Sequence, residues 1–208
     1  MTLLHVLDLL SVFVFALVGA RVAADRGLDY GGIALVAIVA SVSGGTLRNI
    51  FLGLKPILIT DPWVIGSVIG AVAITLSVRR ITKIGKTLLI MDTLGLAIAT
   101  ASGVQLAHNL NSPWFATIIL GVITAVTGGL LRDVLCQLEP VLLHRETIAT
   151  SSLCGSIAFV ALVGFNVEVS IATIIGGVVV ALVRALSIQF DLNLPKFKQA
   201  HKRLDLHD

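Results

Sequence analysis

Seven apolar stretches account for most of this sequence, at 3–24, 31–54, 63–78, 88–107, 114–138, 148–165 and 169–190. A spanning helix takes about 20 predominantly apolar residues. In hydrocarbon every backbone N–H and C=O must also find its partner within the protein, which a helix provides by itself. The pattern therefore predicts an all-α integral membrane protein of seven transmembrane helices. Charge content supports this: 13% of the 208 residues are charged, against about 25% in soluble domains. The first stretch resembles a signal peptide in length only. It lacks a basic leader, carries Asp8 and takes part in a repeat, so it is read as a helix.

The net charge of +3 sits in connections, not over a surface. Arg79, Arg80, Lys83 and Lys86 crowd the link between the third and fourth stretches, and Lys196, Lys198, Lys202 and Arg203 follow the seventh. In a seven-helix chain both regions fall on one side, while the opposite loops hold little more than Lys55. The positive-inside rule then places the N-terminus outside and the polar tail, 191–208, in the cytoplasm. Charges placed this way imply membrane lipid as a neighbour and no nucleic acid. Cys136 and Cys154 have no metal or disulfide spacing and are expected to be packing residues.

Shifting the chain by 84 residues lays its first part on its second without a gap. Asp8 falls on Asp92, Gly19 on Gly103, Gly44-Gly45 on Gly128-Gly129, Leu47-Arg48 on Leu131-Arg132 and Pro56 on Pro140. Apolar matches between membrane helices are cheap; matches of Gly, Pro, Asp and Arg are not. The expected organisation is one transmembrane domain, 1–190, with repeat one at about 3–80, repeat two at about 87–166 and a seventh helix at 169–190. Three helices per unit is an odd number. The second unit must enter the membrane from the opposite face, giving an inverted repeat about an axis in the membrane plane.

In such folds function lies at the repeat interface, on helices interrupted near the midplane. The second and fifth stretches each carry a glycine pair at matching depth, followed three residues later by Arg48 or Arg132. Adjacent glycines weaken a helix by about 1 kcal/mol each relative to alanine and permit a kink. Close helix packing is the competing explanation. An arginine near the helix centre costs roughly 2.5–3.5 kcal/mol to insert, so each should face the bundle interior or water. Asp8 and Asp92 are their expected charge partners. Asp133 follows Arg132 where Asn49 follows Arg48, so Arg48 is expected to carry the less neutralised charge. Arg184 is a further intramembrane charge. Ser41, Ser43, Thr46, Thr124 and Thr127 add a polar stripe that can line a conduit; a dry structural ion-pair network is the alternative.

Enzymatic patterns are absent. Gly85-Lys86-Thr87 ends like a phosphate loop, but Arg80 stands where its first glycine belongs. The five histidines are scattered, and no metal set or Ser-His-Asp set can be drawn. Neither catalysis nor a cofactor or resident metal is expected.

The segments Gly44-Gly45-Thr46-Leu47-Arg48-Asn49 and Gly128-Gly129-Leu130-Leu131-Arg132-Asp133 carry a resemblance over about residues 3–190. They resemble the trimeric intracellular cation (TRIC) channel family, in its prokaryotic branch, which overlaps a family of putative bacterial glycine transporters. The resemblance implies a homotrimer in a prokaryotic plasma membrane, each protomer holding a pore lined by kinked second and fifth helices. Potassium, with sodium, is the implied permeant ion. Gly44, Gly45, Arg48, Gly128, Gly129, Arg132 and Asp133 would lie in that pore, with Asn49 departing from the Arg-Asp pair often seen there. Secondary transport of a small zwitterion such as glycine uses the same architecture and stays open as the alternative, as does a non-conducting scaffold.

Overall fold

A computed structural model describes residues 2–78, 84–138 and 147–190 of the chain, with the side chains of 84–86 left out. Eight helices follow one another among these residues: α1 Leu3–Asp25, α2 Tyr30–Phe51, α3 Ile57–Thr60, α4 Pro62–Ser77, α5 Ile84–Asn109, α6 Trp114–Leu135, α7 Thr147–Gly164 and α8 Val169–Gln189. Six of them are long and apolar enough to cross a membrane. The third apolar stretch forms only the 16-residue α4, about 24 Å at 1.5 Å per residue, short of the ~30 Å hydrocarbon core. The one-turn α3 precedes it. Arg79, Arg80 and Lys83 of the basic cluster, the repeat partner Pro140 and the tail 191–208 with its four cations lie outside the described residues.

Helix ends follow local chemistry. Asp29 caps α2 by accepting from the Gly32 N–H at 2.7 Å, and Asp61 caps α4 from the Trp63 N–H at 2.9 Å, with Pro62 at the first helical position. The α1–α2 turn places Gly27 at φ 74°, and the α5–α6 turn, 84 residues later, places Asn111 at φ 55°. The turns after α2 and α6 do the same with Gly53 (φ 69°) and Gln137 (φ 52°). The left-handed region suits glycine, and asparagine tolerates it. Gln137 adopts it because the turn closes alike in both places: Leu54 N–H to Asn49 C=O and Leu138 N–H to Asp133 C=O, each 2.8 Å.

α1 packs on α2, α4 and α5; α5 packs on α6, α7 and α8; α2 crosses α6. Small and β-branched residues such as Val12, Val18, Ala20 and Ala37 fill the space between α1 and its neighbours. Large apolar side chains cover the outside, among them Leu35, Ile69, Ile119 and Leu182. Trp63 and Trp114 stand exposed at the starts of α4 and α6, the position of aromatic residues at a membrane–water boundary.

The glycine pairs do not break their helices. α2 and α6 are continuous through 44–45 and 128–129. The first glycine of each pair instead lets two backbones meet. A Cβ at Gly44 would collide with the Thr124 carbonyl oxygen, and one at Gly128 with the Ala40 carbonyl oxygen. Thr124 and Ala40 are themselves 84 apart, so the contact is reciprocal. The missing Cβ is used for close approach, as between membrane helices generally.

Candidate functional site

Two charged clusters flank the α2–α6 crossing. In the first, the Arg48 side chain is 1% exposed and forks onto Asp8 from α1, Nη1 to Oδ1 at 2.9 Å and Nη2 to Oδ2 at 3.2 Å. Its Nη1 also donates to Ser102 Oγ from α5 at 2.6 Å, and Ser102 donates on to Asp8. Arg48 Nε donates to Asn49 Oδ1 at 3.1 Å, while Asn49 Nδ2 donates to the Lys55 carbonyl at 3.0 Å. A two-pronged guanidinium–carboxylate contact is the geometry that compensates a buried charge.

The second cluster repeats the plan. Arg132 Nη1 donates to Asp92 Oδ1 of α5 at 2.7 Å, and its Nε to Asp133 Oδ1 at 2.8 Å. Asn49 and Asp133 thus offer the same oxygen to the same arginine nitrogen, one neutral and one charged. Arg48, expected to carry the less neutralised charge, is balanced one for one by Asp8 across forty residues of sequence, against two carboxylates on Arg132. Asp92 and Asp133 outnumber Arg132, so that cluster carries the charge surplus. Arg184, 1% exposed on α8, donates to Thr147 Oγ1 at 2.5 Å, away from the crossing.

Each cluster borders a small cavity of about 10 Å³, room for one water. Asp8, Ser41, Gly44, Gly45 and Thr124 face the first, and Asp92, Gly129, Arg132 and Asp133 the second. Ser43, Thr46 and Thr127 face neither. Helical phase explains this, since 41, 44, 45 and 48 share a stripe at i, i+3, i+4 and i+7 that excludes 43 and 46. Thr127 instead bonds back to the Ile123 carbonyl at 2.6 Å. Ser102 and Phe15, which lines both cavities, were not singled out by the sequence. The signal was present as breaks in the repeat, Ser102 against Val18 and Phe15 against Ala99. The two cysteines are free, Cys136 buried and Cys154 exposed, and no metal-ligating cluster occurs among the described residues.

Comparison with known proteins gives the same twofold division. A family model described as glycine transporter matches twice, at residues 5–80 and 89–164, an offset of 84. The UPF0126 inner membrane protein YadS of Escherichia coli is 34% identical over 200 residues, 94% of this chain and 96% of that protein. Among solved structures, the TRIC trimeric intracellular cation channel orthologue from Rhodobacter sphaeroides superposes with a TM-score of 0.86 at 31% identity, covering 92% of this chain and 100% of that one. A second structure, solved in a study of conductance through TRIC cation channels, gives 0.82 at 29% identity, with 95% and 98% covered.

Proposed function

The chain belongs to the glycine transporter family of multi-pass membrane proteins, and from that premise we propose that it is a potassium-permeable monovalent cation channel. One observation carries the reading: nearly the whole chain shares the fold of a TRIC cation channel at 31% identity. The site chemistry is compatible with it. Two arginines at a pore would repel cations if bare, but each is engaged by at least one aspartate, and three aspartates face two arginines. In this reading the path runs along the α2–α6 crossing within one protomer. It is bordered by Asp8, Gly44, Gly45, Arg48 and Asn49 on one side and Asp92, Gly128, Gly129, Arg132 and Asp133 on the other.

The arrangement belonging to this reading is an inverted repeat of α1–α4 and α5–α7, followed by α8 as the seventh transmembrane helix. The reciprocal contact of Gly44 with Thr124 and of Gly128 with Ala40 supports a local two-fold axis at the crossing. A homotrimer with one pore per protomer, in a bacterial plasma membrane with the C-terminus cytoplasmic and no catalytic role, completes the proposal. The family's description favours a second reading, secondary transport of glycine. Purified protein in liposomes separates them. Under the channel reading a potassium gradient dissipates down its electrochemical slope, and radiolabelled glycine stays outside. Glycine accumulation with no potassium leak would replace the channel by the transporter.

A further inference from the structure

The two small cavities are related by the repeat. Asp8, Val12, Ser41 and Gly45 line the first where Asp92, Leu96, Ala125 and Gly129 line the second. One residue, Phe15 of α1, belongs to both. Its side chain is buried, at 5% exposure, and its ring lies against two glycines. A Cβ at Gly95 would stand 3.2 Å from ring atom Cε1, and one at Gly128 would stand 3.8 Å from Cγ. The two-fold pattern calls for a second ring at position 99, against the residues matching Gly95 and Gly128, which are Ser11 and Gly44. Position 99 is Ala99. Ser11, Gly44 and Ala99 all line the first cavity, so the space a second ring would fill is that cavity. The asymmetry leaves a single aromatic partition between two compartments, each with its own aspartate.

We infer that Phe15 is the barrier of the permeation path, an apolar ring that separates two half-pathways and must move for an ion to pass. The inference rests on the channel reading above. An ion leaving the Asp8 compartment meets a ring with no oxygen to replace its hydration shell, and hydrophobic constrictions of this kind stop conduction by excluding water. Gly95 and Gly128 supply the recess that holds the ring in place.

The test uses the full chain in sealed proteoliposomes, with Cys136 and Cys154 replaced by serine and Ser11→Cys as a reporter in the first cavity. With Phe15 present, silver ion, a thiol-reactive cation small enough for a water-sized space, should reach position 11 from one face only. In Phe15→Ala it should react from both faces, and potassium flux should rise at least tenfold. Phe15→Leu keeps the apolar packing with a smaller side chain. It carries the same test with a smaller rise if the alanine variant does not fold. Phe159→Ala, an equally buried ring that lines neither cavity, should change neither readout. Two-faced labelling with Phe15 intact would overturn the inference, as would a folded Phe15→Ala protein with unchanged flux and one-faced labelling. Labelling that becomes two-faced while no variant passes potassium would keep Phe15 as the partition and remove the cation-channel reading instead.

Discussion

The two halves of the molecule perform the same construction with different polarity. Around Arg48 the cluster is balanced, with one aspartate, a neutral asparagine oxygen and a serine from the other half. Around Arg132 it is acidic, with Asp92 and Asp133 both on the guanidinium. Ser102 reaches from the second half into the first cluster, and the repeat places Val18 where the reverse reach would begin. A duplicated backbone plan thus tolerates unequal side chains when each buried charge still finds a partner. The clusters share a geometry and differ in charge.

The most severe way to break the comparison is at the element both halves share. Gly44→Leu and Gly128→Leu each drive a side chain into a backbone carbonyl of the opposite helix, and backbone has little room to yield. Overpacking that side chains can absorb costs typically 1–3 kcal/mol; a clash with backbone goes beyond that range, so little folded protein should be recovered, by size-exclusion profile or thermal unfolding in detergent. Gly45→Ala and Gly129→Ala are the contrast. There a Cβ meets ordinary contacts at 3.6 and 3.9 Å, and stability should hold or rise by up to about 1 kcal/mol from helix propensity. Equal damage at all four glycines would refute the division of labour within each pair.

Asp8→Ala against Asp92→Ala sharpens the comparison of charge. Asp8 is the one carboxylate within ion-pair distance of Arg48 among the described residues. Removing it strands a guanidinium, at about 3–5 kcal/mol. Asp92→Ala leaves Asp133 on Arg132, so its loss should be smaller. Thermal melts of both variants in the same detergent give the order, and a larger loss for Asp92→Ala would reverse the account.

The smallest loss is expected at Ser102. Ser102→Val installs the residue its repeat mate carries and deletes bonds to Arg48 and Asp8. Hydrogen bonds to charged groups are worth about 1.5–3 kcal/mol, and the surviving Arg48–Asp8 fork should hold the loss near the lower figure. Combined with Asp8→Ala, the valine change should cost less than it does alone, because the bond to Asp8 is already gone and only the one from Arg48 remains. Additive losses would show that Ser102 acts on its own.

Much of this was legible before any coordinates. Apolar length fixes a spanning helix because hydrocarbon admits few other ways to satisfy a backbone. A spacing of 84 that matches glycines, arginines and aspartates cannot come from hydrophobicity alone. The same spacing reappears in left-handed turns at 27 and 111 and at 53 and 137. The burial of Arg48, Asn49, Arg132 and Asp133 follows from the cost of charge in lipid. Six of the seven stretches reach spanning length, and α4 falls short because its apolar run begins only after the Pro62 start signal.

Tertiary structure decided the rest, because the sequence pattern is one-dimensional and these answers depend on which faces meet. A glycine pair reads equally as a hinge or as a contact point; only the carbonyl oxygens of Thr124 and Ala40, brought in from the partner helix, make it a contact. Which hydroxyls face a cavity depends on helical phase against a neighbour, so Ser41 and Thr124 face one while Ser43, Thr46 and Thr127 do not. Phe15 looked like one more apolar residue in a long apolar run. Its place between two aspartate-bearing cavities exists only once α1 is packed against α2, α5 and α6.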